Sequence, residues 1–526
     1  MRKLTTLAFC FFAFILVGQE LTSVKVIPSR ISFSYENLSR TNQFIADTDE
    51  PDSDIGFFVA GLEFHELFPS FKPFYAGLST LSAVKGNYPG LISLGVTSGC
   101  RFNLIKTSLF FDTGVYIGAG GGGGALDGGG LVVRPHLNIE KRIADFGIKL
   151  GVCTIDFPLG DLKGTQAFLG LSYNFNSYLK GKEEYFDGAV EVVNTKKINF
   201  LFSGTSYFNL TDNSILTATN LINVGASESS VGLLGAQVEY FFIPNLYGVF
   251  KINGAVIGDA DGYMSILFGA GLRKKITNND KLAIESRIVG GPSGGGFVET
   301  GGGFIGQYEL GLSYYLTKSL FVKSFYGKSF APWGEFNANH FEFGIGTTFN
   351  RFSQSNNVNN AFAVSKDEIL TNTVNLSFFN RTYFAQSNRD VKGNNYSLFN
   401  CIGFKGGKML NDRLSVKAGT VWAYQGDYGS YAEGLVGIGF QDQLFNVSSL
   451  WYNCDVMIGA AGGGGILVGN GIVSQLSLGI KKSIKNESSV SLNFGKFNSL
   501  IGGNFNPYFV DLSFNFNLNQ IFAIIK

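Results

Sequence analysis

Few residues of this chain have the chemistry needed for catalysis. The sequence holds three histidines, His65, His136 and His340. A histidine acts as a general base when a hydroxyl group and an orienting group lie within hydrogen-bond reach. His65 stands in FHELF beside a turn and is predicted to be a solvated residue at a strand end. His340 has no serine two residues further on, so the spacing does not favour a hydrolase.

A cluster of polar and charged residues shares one alternating phase. In the segment RPHLNIEK, the side chains of Arg134, His136 and Glu140 fall on the same face of a strand. Asp112 and Lys149 fall on the matching face of the neighbouring segments. We expect these five side chains to form a polar cluster inside a closed sheet, where they would either line a channel or pair into a network that closes it.

An acidic loop is the candidate metal site. The segment DTDEPDSD contains Asp47, Asp49, Asp52 and Asp54, and alternating carboxylates can ligate Ca²⁺. The segment lacks the glycine and the distal glutamate of an EF-hand loop, so a solvated acidic loop is the first interpretation. Cys100, Cys153, Cys401 and Cys454 show no zinc spacing and are interpreted as small apolar side chains. No cofactor is predicted.

Strict alternation predicts the elements that position these residues. In TQAFLGLSYNFN (165–176), Ala167, Leu169 and Leu171 fall on one face, whereas Phe168, Gly170, Ser172 and Asn174 fall on the other. One face suits lipid and the other suits a polar interior. A secreted sandwich would also alternate, but the aromatic residues at the strand ends favour a membrane barrel.

A glycine-rich run occurs three times, as GAGGGGGALDGGG (118–130), GGPSGGGFVETGGG (290–303) and GAAGGGGILVGNG (459–471). Each run is followed by a similar closing strand, so the chain consists of tandem copies. Glycine at these places allows bulges and close approach of backbones. Without a Gly-Lys-Ser/Thr ending, a phosphate-binding role is not favoured. An alternative is that the runs present exposed apolar tips: Ala125, Leu126, Phe297, Val298, Ile466 and Leu467.

Each copy has room for about eight strands. In the first copy they are predicted near 29–40, 54–66, 72–85, 91–104, 107–121, 129–142, 146–158 and 165–177. The predicted fold class is therefore all-β, a transmembrane antiparallel β-barrel in three tandem repeats. Three small barrels are favoured, because the interior-phase residues are mostly Gly, Ser, Thr and Asn; the alternative is one barrel of about 24 strands.

The predicted organisation covers the whole chain. A signal peptide occupies 1–18, with a basic start and a short apolar core. The first repeat spans 26–178, a linker 179–196, the second repeat 197–350, a linker 351–370 and the third repeat 371–526. Export through a cleaved signal peptide to a bacterial outer membrane is expected.

Composition limits the function. With 41 Lys and Arg against 40 Asp and Glu, the formal net charge is +1, which gives no reason to expect nucleic-acid binding. Architecture and pattern resemble the small eight-stranded outer-membrane β-barrels of bacteria, a family with adhesion, anchoring and lipid-modifying members. The resemblance implies outer-membrane lipid as a partner, and an extracellular ligand or protein bound through the loops. We expect a non-enzymatic surface, structural or binding protein; the alternatives are a porin-like passive channel and, less favoured, a lipid-modifying hydrolase.

Overall fold

The structure of the chain is a computed structural model. It describes residues 25–39, 54–68, 70–104, 108–179, 191–192, 194–211, 214, 230–258, 260, 262–277, 281–353, 362–363, 369–445, 447, 449–485 and 488–523. The predicted signal peptide lies outside these ranges, as do most residues of both predicted linkers. Helices long and apolar enough to cross a membrane are absent from the described ranges.

Eight antiparallel strands form the first barrel. Strand β1 pairs with β2 on one side and with β8 on the other, with Phe33 opposite Leu171 in the closing pair. The predicted strands of the first copy are confirmed to within a few residues. Their bounds are β1 Lys25–Leu38, β2 Ile55–His65, β3 Phe74–Lys85, β4 Ile92–Asn103, β5 Leu109–Gly121, β6 Leu131–Ile143, β7 Phe146–Asp156 and β8 Lys163–Leu179.

The second barrel repeats this plan. A two-residue strand, β9 (Glu191–Val192), precedes it in the linker. The barrel closes through the first and last of its strands, where Phe202 lies opposite Ile345. Its strands are β10 Asn194–Phe208, β11 Val231–Ile243, β12 Leu246–Ile257, β13 Met264–Lys275, β14 Leu282–Gly294, β15 Phe304–Tyr315, β16 Leu320–Phe330 and β17 Asn337–Ser353.

The third barrel closes in the same way, with Phe378 opposite Phe514. Strand β18 (Phe362–Ala363) of the second linker pairs with β9, so the two linkers are joined. The barrel strands are β19 Ile369–Tyr383, β22 Phe399–Met409, β23 Leu414–Gln425, β24 Ala432–Gln443, β25 Leu450–Gly462, β26 Ile472–Lys485, β27 Ser488–Ser499 and β28 Tyr508–Ala523; a short hairpin, β20 Gln386–Arg389 with β21 Asn395–Tyr396, follows β19. The chain therefore forms three closed eight-stranded barrels, as favoured, and not one large barrel.

The glycine-rich runs form nearly identical turns at one end of each barrel. We call residues 122–130, 295–303 and 463–471 the glycine turns, the end that holds them the outer end, and the end where the chain enters and leaves each barrel the inner end. Corresponding amides donate to corresponding carbonyls: Ala125 to Gly122, Val298 to Gly295 and Ile466 to Gly463, at 3.1, 3.1 and 3.2 Å. Three pairs of residues, Gly123 and Gly124, Gly296 and Phe297, and Gly464 and Gly465, have positive φ.

Side chains on the glycine turns differ in exposure. Leu126, Phe297 and Leu467 are exposed, whereas Val298 and Ile466 are buried, so only part of the predicted apolar tips faces outward. Asp127 accepts a hydrogen bond from the Gly122 amide at 2.9 Å. Burial raises the pKa of Asp127 to about 6, although the Gly122 amide opposes that shift. The turns are thus ordered structures and not loose glycine tails.

The three barrels are joined in a ring by these turns. The hairpin between β3 and β4 packs on the glycine turn of the second barrel, the β12–β13 hairpin on that of the third, and the β23–β24 hairpin on that of the first. A Cβ atom placed on Gly303, Gly471 or Gly130 would lie 2.7, 2.7 or 2.5 Å from the carbonyl oxygen of Ala83, Ala255 or Ala423, respectively. Such head-to-tail contacts close after three units, as in a cyclic trimer. The recurring glycines are therefore required by backbone-to-backbone contact between barrels.

Apolar side chains from all three barrels support the ring beneath the turns. Ile92 and Ala119 of the first barrel pack with Ile266 of the second and Trp422 of the third. Phe268 of the second barrel also lies 5.4 Å, ring centre to ring centre, from Phe33 of the first. At the inner end, the closing strands meet, with Gln520 opposite Leu179 and Asn350 opposite Ala523. The barrels thus touch one another at both ends.

Candidate functional site

The interior of the first barrel holds a network of buried ions centred on Arg30. Its guanidinium donates to Glu63, Asp112 and Glu140 at 2.5, 2.7 and 2.5 Å. Alternation along β1 turns Arg30 inward, with Ser32 and Ser34 on the same face. One cation bonded to three carboxylates on three different strands ties the barrel wall together across its interior.

The five residues of the predicted polar cluster all lie in this interior, but they belong to two groups. Asp112 and Glu140 bind Arg30, and Lys149 lies directly opposite Glu140 in the sheet. His136 lies near Asp112, with its Nε2 3.6 Å from the carboxylate oxygen. Arg134 belongs to the second group, in which it donates to Glu36 at 2.7 Å.

Sequence reasoning missed Arg30, Glu36, Glu63 and Arg101. Arg101 donates to Glu140 at 2.9 Å and completes the network. The signal for Arg30 and Glu36 was present, because both occur in the inward phase of a strand whose outward phase is apolar. Small residues such as Ser79, Ser93 and Thr97 line the rest of this interior, as expected, and the charged side chains pair across it with partners that lie far apart in sequence.

The second barrel contains an equivalent network around Arg287. The guanidinium binds Glu309 and Glu342, the latter at 2.5 Å. Lys251 binds the same two carboxylates, at 3.0 and 2.5 Å. Lys323 lies 2.7 Å from both Glu239 and Glu285, and Arg273 lies 3.6 Å from Glu285. Four cations thus face four carboxylates.

The third barrel has a smaller network around Arg381. Its guanidinium binds Asp511 with two hydrogen bonds, at 2.7 and 2.9 Å, and Glu433 at 3.0 Å. Lys405 and Lys417 bind Asp455. Opposite charges face one another in each described interior: Arg30, Arg101, Arg134 and Lys149 against Glu36, Glu63, Asp112 and Glu140 in the first barrel, the four and four named above in the second, and Arg381, Lys405 and Lys417 against Glu433, Asp455 and Asp511 in the third. Two further lysines near the inner end, Lys197 in the second barrel and Lys481 in the third, donate to the neutral groups of Tyr315 and Gln441. Such pairing is needed because an uncompensated charge is costly away from water.

Apolar and aromatic side chains fill the outer part of each interior. In the third barrel, the rings of Tyr383, Phe399, Tyr431 and Phe505 pack with centre-to-centre distances between 5.0 and 6.1 Å. In the second barrel Tyr207, Tyr263 and Phe336 hold the corresponding place, and in the first Phe57, Tyr88 and Tyr116. An ion network with an aromatic layer above it leaves the barrel interior filled by its own side chains, as is usual for eight strands.

The histidines do not form an accessible catalytic site. His340 Nδ1 lies 2.9 Å from the Ser329 hydroxyl and His340 Nε2 lies 3.1 Å from Glu309, an arrangement of serine, histidine and carboxylate that sequence reasoning missed because Ser329 is on the preceding strand. All three side chains are buried in the ion network, so a substrate has no approach. His65, predicted to be solvated, is also buried; it turns inward from the end of β2 toward Glu63 and packs against Tyr75.

The metal and cysteine predictions fall on few described residues. Asp47, Asp49 and Asp52 of the acidic loop lie outside the described residues, and the carboxylate of Asp54 accepts a hydrogen bond from Asn37 at 3.0 Å. In the described part of the chain, groups of three or more metal-ligating side chains are absent. Cys100, Cys153, Cys401 and Cys454 are free thiols, and Cys153 lies beside Glu36 inside the first barrel.

The outward faces of the barrels are apolar. On β7, Ile148, Leu150 and Val152 project from the barrel with about half of each side chain or more exposed, and Leu169 and Leu171 do the same on β8. Exposed apolar side chains likewise cover the outward faces of β15 and β26, in the second and third barrels. A protein surrounded by water does not expose apolar surface on this scale while it buries paired charge inside. The outward faces therefore have the character of the lipid-facing surface of a transmembrane β-barrel.

Comparisons with known proteins add little to this conclusion. A scan against protein-family models finds no match, and a search of curated proteins finds none. Among solved structures, OpdQ of Pseudomonas aeruginosa is 10% identical, with 94% of this chain and 98% of that chain covered and a TM-score of 0.21. The siderophore receptor PirA of Acinetobacter baumannii is 9% identical, with 95% and 81% covered and a TM-score of 0.27. At such TM-scores the likeness carries no argument, so the fold rests on the strand pairing described above.

Proposed function

We propose that this chain is a non-enzymatic protein of the bacterial outer membrane, in which three sealed barrels form a structural platform and the outer loops bind an extracellular ligand or protein. The observation that carries the proposal is the filled interior of every barrel. Ion networks and the aromatic layers above them occupy the space that a solute would need. This arrangement favours a structural or binding role over a porin-like channel.

Variation among the outer loops supports the binding part of the proposal. The barrels and glycine turns share one plan, but the loops after the first strand of each barrel differ in sequence; that of the third barrel forms the β20–β21 hairpin, whose Tyr396 donates to Asn504 at 2.8 Å. The loop after β1 contains the acidic segment in the first copy alone. Binding residues commonly lie on loops that a rigid scaffold holds in place. Different loops on a repeated scaffold are therefore well suited to recognition.

Single-channel recording in a planar bilayer tests the sealed-barrel part. Purified full-length protein is expected to show no stable conductance, because each lumen is filled. The same preparation must show heat-modifiable migration on gels, which verifies that the barrels are folded. A large and stable conductance from folded protein would overturn the proposal and favour a passive channel.

Exchange of the outer loops tests the recognition part. Intact cells that carry the protein are probed for binding of surface-exposed host or bacterial components, and the same assay is repeated after the β20–β21 hairpin (386–396) is replaced by a two-residue turn. Loss of binding with unchanged heat-modifiable migration is expected. Binding that survives replacement of this hairpin and of the other outer loops would assign recognition elsewhere.

A further inference from the structure

A large apolar cavity lies between the three barrels, outside every barrel interior. Its volume is about 1200 Å³, and its walls are formed by outward-facing side chains of all three units. We call it the central cavity. Among its lining residues are Leu78 and Ile92 from the first barrel, Leu234 and Ile252 from the second, and Phe404 and Ile458 from the third.

The surroundings of the central cavity indicate hydrocarbon and not water. Its walls belong to the same outward faces that contact lipid around the rim of the molecule. The charged residues that border it, Lys405 and Glu433, turn into the third barrel, where they bind Asp455 and Arg381. A buried water molecule needs two to four polar partners. Most of the lining residues are apolar or glycine, and polar ones such as Ser203 and Thr420 form hydrogen bonds within their own barrels.

The two ends of the central cavity differ. At the outer end, the glycine turns and hairpins of the ring close over it, with Gly90 packed on Gly295 and Gly262 on Gly463. At the inner end, the wall includes the polar residues Ser177 and Asn517. A lipid in this cavity would therefore have its polar group toward the inner end.

A cation, Lys408, lies just beyond the inner end of the cavity. Lys408 lies two residues beyond Gly406 on the outward face of β22, and its ammonium group is 4.9 Å from the ring centre of Phe349 in the second barrel. This position is at the junction of two barrels, at the level where a phosphate group would lie if its acyl chains filled the cavity. Electrostatic attraction to an anionic phosphate is expected there.

We propose that the central cavity binds the acyl chains of a phospholipid of the inner leaflet, with the phosphate group near Lys408. The volume is sufficient: one methylene group fills roughly the space of one water molecule, about 30 Å³, so about 40 such groups fit. The inference goes beyond the proposed function, since it requires only that the barrels lie in a membrane. It also explains how three barrels can surround an apolar space without collapse, because lipid fills it.

Three glycines allow the cavity to be filled without disturbing the barrels. A Cβ atom on Gly434 would meet no atom within 4 Å, one on Gly406 would meet only Leu376 at 3.7 Å, and one on Gly204 only the Leu233 carbonyl at 3.9 Å. All three line the central cavity. The variant G204L/G406L/G434L would therefore occupy the space of the chains. Ala167→Leu, on the exposed outward face of β8, is the matched control.

Native mass spectrometry of protein purified in mild detergent measures the bound lipid. Wild-type protein and A167L are expected to retain phospholipid through delipidation, and G204L/G406L/G434L to lose it while heat-modifiable migration is kept. Lys408→Gln is expected to weaken retention about fivefold. Equal retention by the filled variant, or retention of lipopolysaccharide in place of phospholipid, would overturn the proposal.

A second measurement does not depend on the filled variant. Trp422 lines the central cavity and is 5% exposed, so it is remote from lipid at the rim. In the variant W333F/W451F, reconstituted with phospholipid whose acyl chains carry bromine, the fluorescence of Trp422 is expected to be quenched by more than half. Absence of quenching would show that acyl chains do not enter. Neither result affects the conductance test, so the two proposals can fail separately.

Discussion

Arg381 shows how a single residue holds a barrel closed. Its guanidinium donates hydrogen bonds to Asp511, Glu433, Gln475 and Tyr383, which lie on β28, β24, β26 and its own strand β19. The side chain is fully buried. Removal of such a cation leaves two carboxylates without compensation in a medium that cannot solvate them.

Arg381→Met is therefore expected to lower the free energy of unfolding by about 3–5 kcal/mol. The change is measured by urea titration, in which heat-modifiable migration on gels gives the fraction of folded protein at each urea concentration. Arg413→Met is the matched control: Arg413 pairs with Asp442 at 3.3 Å, but its side chain is 64% exposed, so a loss of at most about 1 kcal/mol is expected. Similar effects of the two substitutions would show that the buried network does not stabilise the barrel.

The partners of these charged residues could not be predicted from sequence. Arg30 and Glu140 are 110 positions apart and belong to strands that do not pair. Alternation identifies which side chains turn inward, and on that basis Asp112, Arg134, His136, Glu140 and Lys149 were placed in the interior, where they lie. It says nothing about which carboxylate faces which cation, because that depends on barrel closure. His65 was misplaced because the end of a strand gives too few residues to define its phase.

At the scale of elements, a glycine in a hairpin that packs on a glycine turn can meet two demands at once: a positive φ and close contact between barrels. Gly90 has a φ of +84°, and a Cβ atom on it would lie 2.5 Å from the Gly295 nitrogen of the second barrel. Gly124 has a φ of +73°, but a Cβ atom on it would meet nothing within 4 Å. Both residues therefore need a positive φ, but only Gly90 also lies in contact with another barrel.

Gly90→Ala and Gly124→Ala separate these demands. Both substitutions place a side chain at positive φ, which costs about 1–2 kcal/mol. Only Gly90→Ala is expected to push the first and second barrels apart and to speed hydrogen exchange in the glycine turn 295–303, which mass spectrometry resolves. If Gly124→Ala accelerates exchange in 295–303 equally, the contact between the barrels is not what Gly90 is needed for.

The strands themselves were largely predictable, whereas the ring was not. A period of two residues and clear turn segments located eight strands in the first copy, and the three glycine-rich runs fixed the register of the repeats. The contact of Gly303 with Ala83 involves only backbone atoms. Contacts of this kind leave no pattern of apolar or charged side chains, so the sequence revealed the glycines but not what they touch.

At the scale of the whole molecule, the strand pairing shows that each barrel is closed by its own eight strands. Every barrel closes through its own first and last strands, and the barrels contact one another at the turns, through the shared apolar cluster and at the ends of the closing strands. A barrel that closes on itself has no open strand edge that requires a neighbour.

Each repeat expressed alone behind a signal peptide, as residues 26–178, 197–350 or 371–526, is therefore expected to insert and to show heat-modifiable migration. Lower resistance to urea than in the full chain is expected, because the ring contacts are lost. Membrane insertion is measured by extraction with alkaline buffer. Failure of all three repeats beside success of the full chain would show that the barrels depend on one another to fold.

Closure of the ring depends on the order in which the barrels are made. The joint between the first barrel and the third can form only after the third has been made, since Gly130 packs on the carbonyl oxygen of Ala423 in that barrel. A protein that stops early leaves one glycine turn and one hairpin without their counterparts. Synthesis of the third barrel is thus the step that turns an open row of two barrels into a closed ring, and the covalent chain sets the order of the three barrels around it.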